Sequence, residues 1–183
     1  MSTADQLSRI PDDGKRYELV DGEIRMISPA GGRHGRIAAR ISILLGVHVE
    51  DNDLGATFAA ETGFRISVAP DTVRAPDASF VSNEKIQALE DDTGFLPFAP
   101  DLAVEVVSPS DSFASVESKA FGWINAGTQL VLVVVPESQA VHAYRSKNDI
   151  AVYREEEIVD ASDVVPGWEF SVSSIFRVTG KSR

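Results

Sequence analysis

Hydrophobic and polar positions alternate along this chain in two periods, and the switches between them outline the elements. Residues 15–28 contain two short strand-like runs on either side of Asp21-Gly22, a dipeptide that tolerates positive φ in a tight turn and therefore predicts a hairpin. After Pro29-Ala30-Gly31-Gly32, Ile37, Ile41, Leu44, Leu45 and Val49 recur at helical spacing, which predicts an amphipathic helix over residues 34–50 that ends within 52–55. Two strands are expected at 56–68 and 73–81, separated by the turn signal Ala69-Pro70-Asp71. A polar, acidic stretch over 82–98 carries a short helix near 84–89.

The second half is more strongly patterned. Residues 102–107 are apolar on both faces apart from Glu105, the mark of a strand in the middle of a sheet. A helix over 112–125 follows, with Phe113, Val116, Ala120, Trp123 and Ile124 as its apolar stripe and Gly127 as its stop. Residues 130–135 form another fully apolar strand, 140–145 and 150–154 an antiparallel pair, and 164–170 a final edge strand. The strand-helix-strand unit from 102 to 135 should be a right-handed parallel crossover, while the shorter links favour antiparallel pairing. The expected fold class is mixed α/β: one mixed β-sheet flanked by helices, preceded by a β-hairpin.

At 183 residues, without repeats or a linker, the chain is expected to form a single domain with its core at about 15–176. It contains no cysteine, so disulfides, thiolate nucleophiles and cysteine-bound zinc are excluded, and His34, His48 and His142 do not lie at metal-ligand spacing. Any metal would be a hard cation held by oxygen. The N-terminus lacks the pattern of a signal peptide and no run has the length of a membrane span, so a cytoplasmic protein is expected. The formal net charge of −11 sits poorly with nucleic-acid binding unless cations mask the acidic site or a basic patch is local.

Against this background two carboxylates and a lysine stand out. Glu105 interrupts an aliphatic strand, where an ionised group is costly unless paired, hydrogen-bonded or metal-bound. Asp77 ends Arg74-Ala75-Pro76-Asp77 at the start of an apolar run, and period-two geometry puts it on one face with Ser79 and Val81. If the two strands pair with Asp77 beside Glu105, they offer two oxygen ligands for Mg²⁺ or Mn²⁺, with the Val106 carbonyl as a further ligand and Lys119 poised to act on water or phosphate. Each residue also has an ordinary structural role. Glu105 could be ion-paired to Arg74 or Lys119 or lie at an edge, Asp77 could be a turn residue, and Lys119 a solvated helix residue.

Tyr17-Glu18-Leu19-Val20-Asp21-Gly22-Glu23-Ile24, Ser28-Pro29, His34, Pro76-Asp77, the run from Pro100 to Ser110, Lys119 and Ala126-Gly127 resemble, in order and spacing, the Uma-two family. That family is a branch of the PD-(D/E)XK superfamily of restriction endonuclease-like nucleases, and the resemblance spans Tyr17 to Phe176. It implies a restriction endonuclease-like core with Asp77 and Glu105 as metal ligands. Val107 occupies the place of the usual lysine two positions after the acid, so the resemblance assigns that role to Lys119 on the next helix. Glu18 and His34 match recurrent family positions, which would line the same cleft; an exposed hairpin charge and a helix-start histidine are their alternatives. The aliphatic strand after Gly127 and Trp123, where a tyrosine is common, depart from the family pattern in ways expected to touch packing.

Three functions compete at this point. The first is a Mg²⁺-dependent endonuclease hydrolysing DNA. The second is a catalytically silent module that binds a protein partner or regulates, as a homodimer. The third is a nuclease acting on RNA or a small nucleotide.

Overall fold

The computed structural model describes residues 1–178. Its chain starts with a short helix, α1 (Ala4–Ser8), that the sequence pattern did not reveal; Thr3 and Gln6 form a reciprocal capping box at its start. Ala4 and Leu7 bury against Leu19 and Val73, so a helix of one turn persists by tertiary packing. The hairpin β1 (Arg16–Val20) and β2 (Glu23–Ile27) follows, and Asp21 and Gly22 both have positive φ, 52° and 76°, as the Asp-Gly signal requires.

Helix α2 (Gly32–Asp51) begins slightly ahead of its expected start and ends at Asn52. The two long strands expected over 56–81 are each broken in two: β3 (Gly55–Ala59), β4 (Phe64–Val68), β5 (Asp71–Arg74) and β6 (Ala78–Ser82). Pro76 offers no N–H to a ladder, so the chain leaves β5 at that point and enters β6 in a different sheet. Asp77 is therefore a bend residue immediately before β6 rather than a strand residue. The polar excursion contains α3 (Asn83–Gln87).

Next come β7 (Leu102–Val106), α4 (Phe113–Asn125), β8 (Leu130–Val135), β9 (Ala140–Tyr144) and β10 (Ile150–Arg154), as the periodicity indicated. Ser112 caps α4 by accepting from the Ser115 N–H, and Gly127 ends it with φ 103°. The tail differs from expectation. Instead of an edge strand over 164–170, β12 (Glu169–Ser171) pairs with β11 (Ile158–Asp160) as a separate ribbon before α5 (Val172–Phe176).

The principal sheet has six strands in the order β10-β9-β8-β7-β6-β3, and β7–β8 is its one parallel pair among the described residues. A mixed sheet between helices is thus the architecture observed. Ile37, Ile41, Leu45 and Val49 of α2 bury against Phe80, Leu102, Val104 and Leu130 on one face. Ala120 and Trp123 of α4 bury against Ala103, Val131 and Val133 on the other. A second, four-stranded sheet, β2-β1-β5-β4, stands beside this body, and the chain crosses between the sheets where Asp77 lies. Among the described residues, no helix is long and apolar enough to cross a membrane.

Candidate active site

Strands β6 and β7 pair antiparallel with Ala78 opposite Val104 and Ser79 opposite Ala103. Extending that register by one residue puts Asp77 next to Glu105, on the sheet face that α4 covers. The bend is held to β7 by backbone and side chain together. The Asp77 N–H donates to the Val104 carbonyl at 2.9 Å, and Asp77 Oδ2 accepts from the Val106 N–H at 2.7 Å.

Glu105 is 7% exposed and both its oxygens are engaged from α4. Oε1 accepts from the Trp123 indole N–H at 2.8 Å, and Oε2 lies 2.7 Å from Lys119 Nζ. Lys119 and Trp123 are four residues apart and so share one helix face. That spacing lets both side chains reach the one carboxylate. Burial pushes the Glu105 carboxyl up, Lys119 and Trp123 pull it back only in part, and the Asp77 charge adds to the upward shift. Burial acts against the Lys119 ammonium, yet Glu105, Glu18 and Asp77 outweigh it and raise its pKa, so Lys119 is a cation.

His34, in the first turn of α2, places Nε2 3.2 Å from Asp77 Oδ2. The hydrogen bond that His34 donates to Asp77 raises the His34 pKa against the effect of burial, with the Asp77 charge, the Val106 backbone and the Glu105 charge adding to it. Glu18, on β1, accepts from the Ala75 N–H at 3.2 Å through Oε1 and so pins the segment leading to Asp77. The structure brings Glu18, His34, Asp77, Glu105, Val106 and Lys119 to the wall of a single cleft of about 690 Å³.

Lys15, Arg16, Arg25 and Arg74 join Lys119 in that wall, against Glu18, Glu61, Asp77, Glu105 and Asp111. Five cations facing five carboxylates make the cleft nearly neutral in a chain of net charge −11, a local compensation that overall charge conceals. Among the described residues, no cluster of three or more His, Asp or Glu side chains could hold a metal. The donor set is thus two carboxylates with a neighbouring backbone carbonyl. Oxygen ligands in that number suit Mg²⁺ or Mn²⁺, which take one or two protein carboxylates and fill the remaining positions with water and phosphate. Asp77 Oδ1 accepts no hydrogen bond among the described residues, leaving it available as a ligand.

Two participants escaped sequence reasoning. Trp123 is fully buried in the core, as its place in the apolar stripe predicts, but its indole N–H also fixes the orientation of Glu105. Its position four residues after Lys119 was the available signal. The basic rim of Lys15, Arg16 and Arg25 comes from the hairpin, whose charges read in sequence as ordinary solvated residues.

A family model described as "Putative restriction endonuclease" (Uma2) matches residues 4–173. No curated protein matches the chain. Among solved structures, a protein from Anabaena variabilis described as "a putative nuclease belonging to DUF820" superimposes with a TM-score of 0.83 at 21% identity, over 96% of this chain and 98% of that one. At that identity the likeness establishes the shared fold. With the family model spanning nearly the whole chain, this protein belongs to the Uma2 family of restriction endonuclease-like proteins.

Proposed function

We propose that the protein is a divalent-metal-dependent endonuclease that hydrolyses phosphodiester bonds in DNA. The observation that carries this reading is the convergence of Asp77, at the bend that enters β6, and Glu105, on the adjacent β7, with Lys119 Nζ 2.7 Å from Glu105, in one cleft of balanced charge. Asp77, Glu105 and the Val106 carbonyl would hold Mg²⁺ or Mn²⁺. When bound, such an ion lowers the pKa of coordinated water and neutralises charge on the reacting phosphate.

The chain's own residues do the rest. Glu105 is held by Trp123, and Asp77 by the Val106 N–H and His34, so both carboxylates are preorganised toward the cleft. Lys119 has three ammonium protons, one directed to Glu105; the others are free to meet a phosphate oxygen or orient the attacking water. Glu18 keeps the Ala75 backbone, and with it the approach to Asp77, in place.

The test is cleavage of supercoiled plasmid and of single-stranded circular DNA with Mg²⁺ or Mn²⁺ by the wild type and by Asp77→Ala, Glu105→Ala and Lys119→Ala. Activity confined to the wild type supports the assignment, and cutting that persists in all three variants rejects it. A second reading, a regulatory homodimer, draws on edge strand β2, all five of whose residues are exposed, Ile24, Met26 and Ile27 among them. A dimer that dissociates on Met26→Lys, measured by light scattering on a sizing column, would support that second role.

A further inference from the structure

The active-site cleft does not end at Lys119. A second hollow of about 610 Å³ shares Val20, Arg74 and Ser118 with it and continues along α4 under β4 and β5. Arg74 stands at the junction, half-buried, three residues before Asp77, and it forms no ion pair among the described residues. A guanidinium at that point has the fork geometry to grip a phosphate one step along a strand from the reacting one.

The second hollow is chemically unlike the first. Its charged lining beyond Arg74 consists of Asp21 and Glu117, which repel a further phosphate but accept hydrogen bonds from amino groups of a base. Phe121 supplies an aromatic wall and Asn125 an amide. A volume near 600 Å³ is ample for one nucleoside. The base edge and faces are accessible in this way only when the base is unpaired.

Building on the phosphodiesterase reading above, we infer that the substrate is an unpaired nucleic-acid strand, with one phosphate on Arg74 and the adjoining base in the hollow bounded by Asp21, Glu117, Phe121 and Asn125. Duplex DNA, with its bases stacked inside and dense charge on both strands, gains little from a hollow of this kind and meets more repulsion from a chain of net charge −11.

Gly122 provides a clean test. It lies inside α4 and borders the hollow, and a Cβ added there meets nothing within 4 Å. Leucine at this position improves helix propensity while its side chain projects into the proposed base site. Binding of a fluorescein-labelled 12-nucleotide single strand and of its duplex would be followed by anisotropy in Ca²⁺, for wild type, Gly122→Leu and Arg74→Gln. The single strand is expected to bind about tenfold more tightly than the duplex, and each substitution to weaken it about tenfold while thermal melting shows Gly122→Leu as stable as wild type. Equal or tighter duplex binding, or unchanged affinity in Gly122→Leu, would overturn the inference. Mn²⁺-dependent hydrolysis of bis(4-nitrophenyl) phosphate by the wild type, a phosphodiester without a base, tests the underlying reading separately. Its absence would sink the phosphodiesterase reading, while the binding comparison alone decides the base site.

Discussion

Strand β7 has a buried carboxylate at each end, and each meets a lysine from a neighbouring helix. At the N-terminal end Asp101 is 2% exposed; Oδ1 accepts from Gln129 Nε2 at 2.9 Å and lies 2.8 Å from Lys85 Nζ, while Oδ2 accepts from the Ser82 N–H at 2.8 Å. At the C-terminal end Glu105 meets Lys119 and Trp123, but Asp77 and Glu18 stand close by. The first carboxylate is outnumbered by donors. The second belongs to a group in which acceptors outnumber cations. Burial raises the pKa at both places, yet Lys85 and Ser82 overcome it and leave Asp101 below the ordinary carboxylate range, whereas Glu105 remains above its own. A buried carboxylate-lysine pair is thus not in itself a site. Three carboxylates gathered around one lysine, as Glu105, Asp77 and Glu18 are around Lys119, are what a metal ion would relieve, and they meet where β6 and β7 open into the cleft.

The largest contrast concerns activity. Glu105→Gln is expected to reduce DNA cleavage on the order of a thousandfold, because a metal ligand and the partner of Lys119 are lost together. Asp101→Asn should keep nearly wild-type cleavage per folded molecule. Similar losses in both variants, measured at a temperature where both are folded, would erase the distinction between the two ends.

Stability should show the reverse. An amide at position 101 must turn an NH₂ toward a group that already donates, so Asp101→Asn should cost about 3 kcal/mol in urea unfolding. Glu105→Gln should cost less, although its NH₂ also meets a donor, because burial and Asp77 already disfavour the carboxylate it replaces and Lys119 retains Glu18 and Asp77 as neighbours. A smaller effect is expected from Trp123→Phe, which removes the indole donor from Glu105. Such supporting groups typically change metal affinity by about 10- to 100-fold, and titration with Mn²⁺ would measure it.

The smallest effect lies in pH. The Asp101 pKa is lowered on folding, so its contribution is complete above the unfolded value of about 3.9 and fades as pH falls below it. The Glu105 pKa is raised, so its contribution is complete below about 4.3 and is lost as pH rises through the folded value. Accordingly, the stability advantage of wild type over Asp101→Asn should shrink on acidification below pH 4. Glu105→Gln should instead fall further behind wild type as pH drops from neutral, because the contribution of Glu105 grows in that direction. Parallel curves for the two variants would contradict opposite shifts.

Much of this was legible in sequence because it rests on strong local signals. Glu105 stood out against five aliphatic neighbours, and the Asp-Gly turn and the stripe of α2 predicted their elements directly. Asp77 fell beside Glu105 only on the condition that their strands pair in one particular register, and β6 and β7 pair in that register. What sequence concealed was set by long-range choices. The division of residues 56–81 between two sheets depends on where Pro76 ends a ladder, and apolar alternation reads the same on both sides of that break. Asp101 follows a proline at a strand start and reads as a turn residue until Lys85 and Gln129 arrive from elsewhere. Trp123 is indistinguishable from packing until its indole N–H finds a partner.

Metal binding tests the central claim most directly. Calorimetric titration with Mn²⁺ should show one ion per chain for the wild type and for Asp101→Asn, and none for the double variant Asp77→Ala/Glu105→Gln. Undiminished uptake by the double variant, or uptake abolished by Asp101→Asn, would contradict the assignment of function to the C-terminal end of β7.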